Sequence, residues 1–348
     1  MESFLVHDDR FKAILGPSPT LELLLENKEY AFAHEAGVYI PRDNTLFITS
    51  NHIHTTTGDR TVQISKVLLT KDHHGVVRAS HRELPSHAIP MGNGGVNYKD
   101  GILFCAQGSL KVPSGLYYMS SKHPHEVEPV ITNFYGREFN SVNDVVVHTD
   151  GTIWFTDPIY GYEHGYRPVP SLPGQVYRFD PVSGAIRCLA DGFIKPNGIC
   201  FSPDEKTVYV TDTARFRAIG AVDETLPSSM YVLFHFGTDS RMMLTGSDSY
   251  AFDVAYYHGE PFLTSRRLFA MAPVGIPDGI KCDLEGNVYS GCGDGVTVWS
   301  PGGVLLGRIL VEGGAANFCF GREGEMFILN EHRLWRAQLN SRGALLGI

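Results

Sequence analysis

A degenerate unit recurs six times along the chain, and it constrains the fold more than any other feature of the sequence. Each unit begins with an oxygen-bearing side chain and continues as a short apolar alternation. An acidic or Asp-Gly type of turn follows about seven residues later, and then a second strand rich in aromatic and β-branched residues. The units begin at Glu35, Asn93, Asn143, Asn197, Asp278 and Asn317.

The spacing of the units predicts the architecture. Successive starts differ by 58, 50, 54, 81 and 39 residues, and about 40 to 50 residues is the length of one four-stranded propeller blade. The 37 glycines and 20 prolines agree with many short strands joined by tight turns. We therefore predict an all-β fold, a six-bladed β-propeller forming a single domain over residues 1–348. Residues 20–30 are expected to supply a strand to the last blade and to close the ring.

One interval is too long for a blade. The 81 residues between Asn197 and Asp278 exceed a blade by about 30. We expect an insertion at about 214–250, where the composition is apolar. It would form either an extended outer hairpin or a lid over the central pocket.

Charge and composition exclude several classes of partner. The formal net charge is −9, and no block of basic residues offers a surface for nucleic acid or an anionic membrane. No apolar run is long enough to span a membrane, and the first residues lack the pattern of an export signal. The six cysteines form no Cys-x-x-Cys pair and are expected to be reduced and mostly buried. We expect a cytoplasmic protein, although a removed signal peptide would leave the same evidence.

The six repeat starts are themselves chemically informative. The first residues of propeller blades converge on the axis at one end of the central channel, and here they comprise two carboxylates and four amides. Such a set favours a hard cation such as calcium over zinc. The alternative is that Asn and Asp occupy these positions only because they cap turns. No Gly-x-Ser-x-Gly, Gly-x-Gly-x-x-Gly, Walker or His-Glu-x-x-His motif is present.

Four segments carry a resemblance to a known family. They are residues 34–40, which begin His-Glu-Ala-Gly-Val, residues 143–161, which begin Asn-Asp-Val-Val-Val, residues 195–212, which begin Lys-Pro-Asn-Gly-Ile, and residues 276–289, which begin Ile-Pro-Asp-Gly-Ile. In this order they resemble the gluconolactonase, regucalcin and fungal lactonohydrolase family. The resemblance extends over nearly the whole chain and implies a six-bladed propeller.

The resemblance also implies a set of site residues. In the family a divalent ion, usually calcium, is held by a Glu of the first blade, two Asn and an Asp, and these positions fall on Glu35, Asn143, Asn197 and Asp278. The Asp at the last position is also proposed to act as the base toward water in the family. Where animal members carry an Arg two residues before the Asn of the third blade, this chain has Ser141.

The function expected from these features is calcium-dependent opening of a lactone ring by activated water. Asp278 and His52 are the candidate catalytic residues, because a carboxylate bound to a cation is a weak base and a second proton acceptor is needed. The residues expected to contact a small-molecule lactone or ester are Asn51, Asn93, Asn97, Tyr160 and Tyr162. Ser141 in place of Arg makes a larger or more apolar substrate plausible.

Two alternatives stay open at this point. One is a non-hydrolytic propeller enzyme of secondary metabolism, a pericyclase or isomerase similar to the hetero-Diels–Alderases, acting on a hydrophobic intermediate. The other is a propeller without catalytic activity that binds a metal or a protein partner.

Overall fold

The computed structural model describes residues 3–55, 58–73, 76–85, 87–215 and 247–344. Five four-stranded antiparallel sheets and one five-stranded antiparallel sheet form six blades along these residues. Neighbouring sheets contact each other all round the ring, including the sixth sheet with the first. The prediction of a six-bladed β-propeller is therefore confirmed.

The blades are numbered in chain order, and their strands are given from the axis outward. Blade 1 consists of Glu35–Ile40, Thr45–Thr49, Ile64–Lys71 and Val77–Leu84, and blade 2 of Gly92–Tyr98, Gly101–Ala106, Gly115–Ser120 and Val127–Ile131. Blade 3 consists of Val145–Val147, Ile153–Asp157, Gln175–Phe179 and Ile186–Ala190, and blade 4 of Pro196–Phe201, Thr207–Thr213, Ser247–Tyr257 and Glu260–Ala270.

Blades 5 and 6 include strands from the beginning of the chain. Blade 5 consists of Ile280–Cys282, Val288–Cys292, Gly295–Trp299 and Leu305–Leu310, with Phe4–Val6 added as a fifth strand. Blade 6 consists of Asn317–Phe320, Glu325–Asn330 and Arg333–Gln338, and its outermost strand is Thr20–Glu26. The expectation that residues 20–30 supply a strand to the last blade is confirmed. The fifth strand of blade 5 was not predicted.

The remaining elements are short. Two small hairpins pair Ile53–His54 with Arg60–Thr61 and Asn133–Phe134 with Arg137–Glu138. The helices are Arg10–Leu15, the single turn Tyr160–Glu163 and the 3-10 turn Pro41–Asp43. Within the described ranges no helix has both the length and the apolar character needed to cross a membrane. Most of the predicted insertion at 214–250 lies outside the described residues.

The hydrophobic core is divided among the interfaces between blades. A separate cluster of buried side chains fills each of the six interfaces, for example Val38 and Phe47 of blade 1 against Ile102 and Phe104 of blade 2. Packing of apolar side chains on both faces explains why second strands such as Gly101–Ala106 carry consecutive apolar residues. All six cysteines are free, and only Cys188 is not fully buried, as expected.

Candidate active site at the end of the central channel

The six repeat starts lie together at one end of the channel. Asn317 of blade 6 donates its amide to Glu35 Oε2 at 2.7 Å, and Asn93 of blade 2 donates to the main-chain oxygen of Asn143 at 3.3 Å. A Cβ placed on Gly279, next to Asp278, would lie 2.4 Å from the Asn317 side chain. These contacts join blades 5, 6 and 1 and blades 2 and 3, so the predicted convergence is present.

Threonine hydroxyls of one blade hold the repeat start of the next. Each of these threonines belongs to the second strand of its blade, and its hydroxyl donates to the main-chain oxygen of the following blade's first residue. The pairs are Thr49 with Asn93 (3.0 Å), Thr156 with Asn197 (2.6 Å) and Thr211 with Asp278 (2.8 Å). Hydrogen bonds from the threonines of the neighbouring blade satisfy the main-chain carbonyl groups of these repeat starts. The side chains of the repeat starts can therefore face the axis.

Glycine after a repeat start lets the blades approach closely. A Cβ at Gly94 would lie 2.5 Å from the main-chain oxygen of Asn143, and one at Gly198 would lie 2.5 Å from that of Asp278. A real Cβ does not tolerate such distances, so the Asn-Gly and Asp-Gly pairs of the repeats are needed for packing around the axis as well as for turns.

Two of the predicted metal ligands have an oxygen without a partner. Asn143 Oδ1 and Asp278 Oδ1 are both shielded from solvent, and neither has a hydrogen-bond partner in the described structure. Asn197 donates its amide to the Tyr160 hydroxyl at 3.2 Å, which leaves its carbonyl oxygen available. Buried polar atoms are nearly always satisfied, so the unpartnered oxygens mark a position where a positively charged or hydrogen-bonding group fits.

The two carboxylates of the set destabilise each other's charge. Burial raises the pKa of Asp278 well above its usual range, and the neighbouring Glu35 carboxylate raises it further. Burial also raises the pKa of Glu35, and the Asp144 carboxylate contributes in the same direction. A cation between Glu35 and Asp278 would remove this repulsion.

Asp144 and Lys281 form a second charged layer deeper in the channel. Asp144 is buried and accepts main-chain N–H bonds from Val145 and from Ile199 of the next blade. The Lys281 ammonium lies 3.9 Å from Asp144 Oδ2. Neither residue was singled out from the sequence. Asp144 could have been noticed, because blades 2, 4 and 5 have Gly at the position after the repeat start, where blade 3 has this acidic residue.

Asn97 does not lie with the other candidate residues. It follows Asn93 by four positions on the inner strand of blade 2, a displacement of about 13 Å along the channel. There it donates to the main-chain oxygen of Tyr39 at 2.8 Å and, with Lys281, lines a cavity of about 90 Å³. The structure thus places Asn97 away from the end where Asn143 and Asp278 meet.

An ion pair and an amide support the rim above Glu35. His34 Nδ1 lies 2.7 Å from Glu331 Oε1, and Asn51 donates its amide to Glu331 Oε2 at 3.1 Å. Burial alone would lower the pKa of His34, but the Glu331 carboxylate outweighs it and the pKa is raised to about 10. Asn51 Oδ1 in turn accepts the main-chain N–H of His52 at 2.7 Å. Asn51 is thus occupied in holding the rim.

His52 packs in an aromatic group on the same rim. Its Nδ1 lies 3.3 Å from His164 Nδ1, and the Tyr166 ring packs edge-on against it at 5.5 Å. Burial, followed by the positive charge that His164 can carry, lowers the pKa of His52 to about 3. His164, Tyr166 and Glu331 were missed in the sequence, because loops far apart along the chain bring them to the rim.

The two predicted tyrosines differ in position. Tyr160 is buried, its hydroxyl bonds Thr213 as well as Asn197, and Lys195 Nζ lies 5.8 Å from its ring centroid. Tyr162 lies on the same helical turn but is 45% exposed. The structure therefore joins Tyr160 to the candidate metal ligands and leaves Tyr162 outside them.

Ser141 has a structural role. Its side chain is fully buried, donates to the main-chain oxygen of Pro158 at 2.8 Å and accepts the N–H of Gly161 at 3.0 Å. It thereby fixes the turn that carries Tyr160. The position at which the resemblance places an Arg thus holds a short side chain engaged with the backbone.

Comparison with known proteins places these features in context. A lactonohydrolase of Aspergillus oryzae is 29% identical over 322 residues, covering 89% of this chain and 67% of that protein. The solved structure of a gluconolactonase from Xanthomonas campestris is 26% identical, covers 97% of this chain and 95% of its own, and has a TM-score of 0.72. A calcium-binding protein, regucalcin, from Agrobacterium tumefaciens shares the fold, with a TM-score of 0.61 at 17% identity over 93% and 95% of the two chains.

A separate comparison, with descriptions of whole protein families, shows the family to which the chain belongs. Residues 34–230, more than half of the chain, match the family described as the SMP-30/Gluconolactonase/LRE-like region. The matched residues include three of the four predicted metal ligands, Glu35, Asn143 and Asn197, and all of blades 1, 2 and 3. The resemblance noted in the sequence is confirmed, and the chain belongs to the SMP-30/gluconolactonase/LRE-like family.

Proposed function

We propose that this protein is a lactone hydrolase whose site takes a hard divalent cation, calcium in the first place, between Glu35, Asn143, Asn197 and Asp278. The observation that carries the proposal is the pair of buried oxygens without partners, Asn143 Oδ1 and Asp278 Oδ1. They belong to two of the four residues that the family resemblance assigns to metal binding.

The chemistry of the donor set fits calcium. Calcium takes six to eight oxygen ligands from carboxylates, amide carbonyls and water, in flexible geometry. Four protein residues would leave positions for water and for a substrate oxygen. In the part of the chain that the structure describes, no three His, Cys, Asp or Glu side chains are grouped so as to hold a metal. The proposed donor set of two carboxylates and two amides contains no Cys or His, the side chains that zinc usually takes as ligands.

The protein's own residues have separate roles in the proposed reaction. A bound divalent cation supplies Lewis-acid polarisation of a carbonyl group and stabilises the negative charge that develops on its oxygen. Asn317 orients Glu35 through the 2.7 Å amide contact, and Thr211 fixes the backbone of Asp278. Asp278 orients the attacking water, and His52 is the second group available to accept its proton.

The substrate is proposed to be a small-molecule lactone or ester. The named relatives are a lactonohydrolase and a gluconolactonase, and these names support hydrolysis rather than the pericyclase alternative. Ser141 is engaged with the backbone, and the rim carries His52, His164 and Tyr166. We therefore favour a substrate with an apolar or aromatic ring over a polyhydroxylated one.

The experiment that tests the proposal is Asn197→Ala, with Asn340→Ala, an exposed amide on the surface, as the matched control. We expect Asn197→Ala to lose calcium binding in calorimetry and to lose ring opening across a panel of aldonolactones, aromatic lactones and macrolactones. Unchanged calcium affinity would remove Asn197 from the site. Full ring opening by protein shown to be free of metal after chelation would contradict the role given to the cation.

A further inference from the structure

Two histidines from different blades share a hydrogen bond at the rim of the site. His52 follows the second strand of blade 1, and His164 ends the helical turn that carries Tyr160 in blade 3. Their Nδ1 atoms are 3.3 Å apart, and the rings meet edge to face with centroids 5.0 Å apart. Neither ring has an acidic partner among the contacts that the structure describes.

The shared bond fixes the tautomers of the pair. An unperturbed histidine has a pKa of about 6.5 and is mostly neutral above pH 7, and burial lowers the pKa to about 3 for His52 and to about 4 for His164. A neutral imidazole carries one proton. An Nδ1–H···Nδ1 bond therefore requires one ring protonated at Nδ1 and the other at Nε2. The pair must present one bare Nε2, which accepts a proton, and one Nε2–H, which donates one.

The pair is linked on both sides to the candidate metal ligands. The Tyr160 ring lies 6.3 Å from that of His164, and the Tyr160 hydroxyl accepts the amide of Asn197. On the other side, Asn51 bonds both the backbone of His52 and Glu331, the partner of His34 beside Glu35. The two imidazoles thus form part of an arc of side chains from blade 4 to blade 1 over the end of the channel.

We propose that His52 and His164 form a proton relay for lactone opening at this site, an inference that rests on the proposed function. Water attacks the lactone carbonyl carbon and gives one proton to the bare Nε2. The Nδ1 proton of that ring crosses to Nδ1 of its partner, and the partner's Nε2–H passes to the ring oxygen as the carbon–oxygen bond breaks. The hydroxy acid product loses its carboxyl proton to solvent, and proton exchange with solvent restores the starting tautomers.

The surroundings favour a relay over a single base. Positive charge reaches His52 from His34, His54, Arg60 and His164, and reaches His164 from Arg60 and Lys195, whose ammonium also pairs with Glu163 at 2.8 Å. The Tyr166 ring packs against both imidazoles and the Tyr160 ring against His164. Each of the cationic groups disfavours a positive charge on the imidazole that it faces. A relay passes the proton through the pair and leaves both rings neutral. The arrangement also supplies an acid for the leaving oxygen, which His52 alone does not.

The first test reads the tautomers directly and needs no substrate. Long-range ¹H–¹⁵N correlation spectra of the wild-type protein at pH 7.5 distinguish Nδ1–H from Nε2–H imidazoles. We expect one of the two rings in each form, with assignment by His52→Gln and His164→Gln. Two Nε2–H tautomers would overturn the relay, because no proton would lie between the rings.

The second test is kinetic. We expect His52→Gln and His164→Gln each to lower kcat by on the order of 100-fold, and the double variant to fall no further, since the two rings act as one unit. The calcium dissociation constant should stay within twofold of wild type in all three. Exposed His81 on the outer strand of blade 1, changed to Gln, is the matched control and should keep wild-type kcat.

The number of protons in flight separates a relay from a structural role. In mixtures of H₂O and D₂O, kcat of the wild-type protein should follow a bowed proton inventory, and that of His164→Gln a straight line. An active wild-type protein with unchanged kcat in His164→Gln would overturn the relay while leaving the proposed function intact. A wild-type protein that opens no lactone in the panel would refute the proposed function, and with it the use of the pair in this reaction, whatever the tautomers.

Discussion

Replacing Thr211 with valine tests whether hydrogen bonds between blades hold the site in place. The Thr211 hydroxyl donates to the main-chain oxygen of Asp278 and accepts the N–H of Gly198, both at 2.8 Å, and the side chain is fully buried. Valine has nearly the same shape but makes neither bond. The substitution therefore leaves one carbonyl and one N–H unpaired at the junction of blades 4 and 5.

The expected loss of stability can be worked from these two groups. A buried polar group left without its partner costs about 1–3 kcal/mol. Two such groups, whose surroundings relax in part and so reduce the cost, should together lower the free energy of unfolding by about 3 kcal/mol. Unfolding entropy of about 2.1 cal/mol/K per residue converts this to a fall in Tm of about 4 °C for a chain of this length. Because Asp278 also shifts, calcium affinity should fall by about tenfold, as for partners of metal ligands generally.

The matched control is Thr45→Val. Thr45 is 2% exposed, lies in the second strand of blade 1, and its hydroxyl has no hydrogen-bond partner in the described structure. Its Tm should stay within about 1 °C of wild type, since no bond is lost. The assays are thermal denaturation with and without calcium and calorimetric titration of calcium. Equal melting temperatures for Thr211→Val and Thr45→Val, with equal calcium affinities, would refute the role given to the threonines.

Three further predictions follow from the same region. Gly279→Ala should lower the free energy of unfolding by about 1–3 kcal/mol through overpacking against Asn317, whereas Gly302→Ala, whose Cβ would meet no atom closer than 3.9 Å, should not change it; equal stabilities would contradict the close approach. Because the pKa of His34 is raised to about 10, above its ordinary 6.5, its pair with Glu331 stabilises the folded state fully below pH 6.5 and is lost as the pH rises toward 10. Glu331→Gln should flatten that part of the denaturation profile, and an unchanged slope would argue against the ion pair. Calcium at 100 times its dissociation constant should add about 2.7 kcal/mol, seen as a Tm that falls on chelation; coincident melting curves would contradict a calcium site.

The sequence predicted the ring well because a propeller repeats its local chemistry. Each blade can be located in the sequence from the pattern of its inner strand and its second strand. The glycines after Asn93, Asn197 and Asp278 recur at the same point of the repeat, because each blade packs against the next in the same way. Convergence of Glu35 and Asn317, 282 positions apart, is then a consequence of closure rather than of any local signal.

The rim could not be predicted in the same way, because its residues come from loops that do not repeat. Glu331 pairs with His34 across 297 positions, and His164 meets His52 across 112. Alternation along a strand predicts which face a side chain occupies but not how far along the channel it lies. Asn97 was grouped with Asn93 for that reason, although four residues of extended chain separate them by about 13 Å.

The strand Thr20–Glu26 has a consequence for biosynthesis. It pairs with Arg333–Gln338, so blade 6 cannot be completed until almost the whole chain has left the ribosome. At about 5–20 residues per second, the first of these strands waits roughly 15–60 s for its partner. During that time its backbone hydrogen-bonding edge and the apolar face of blade 1 stay open to other chains. We therefore expect the yield of native protein in the cell to depend on elongation rate and on chaperones that shield nascent chains.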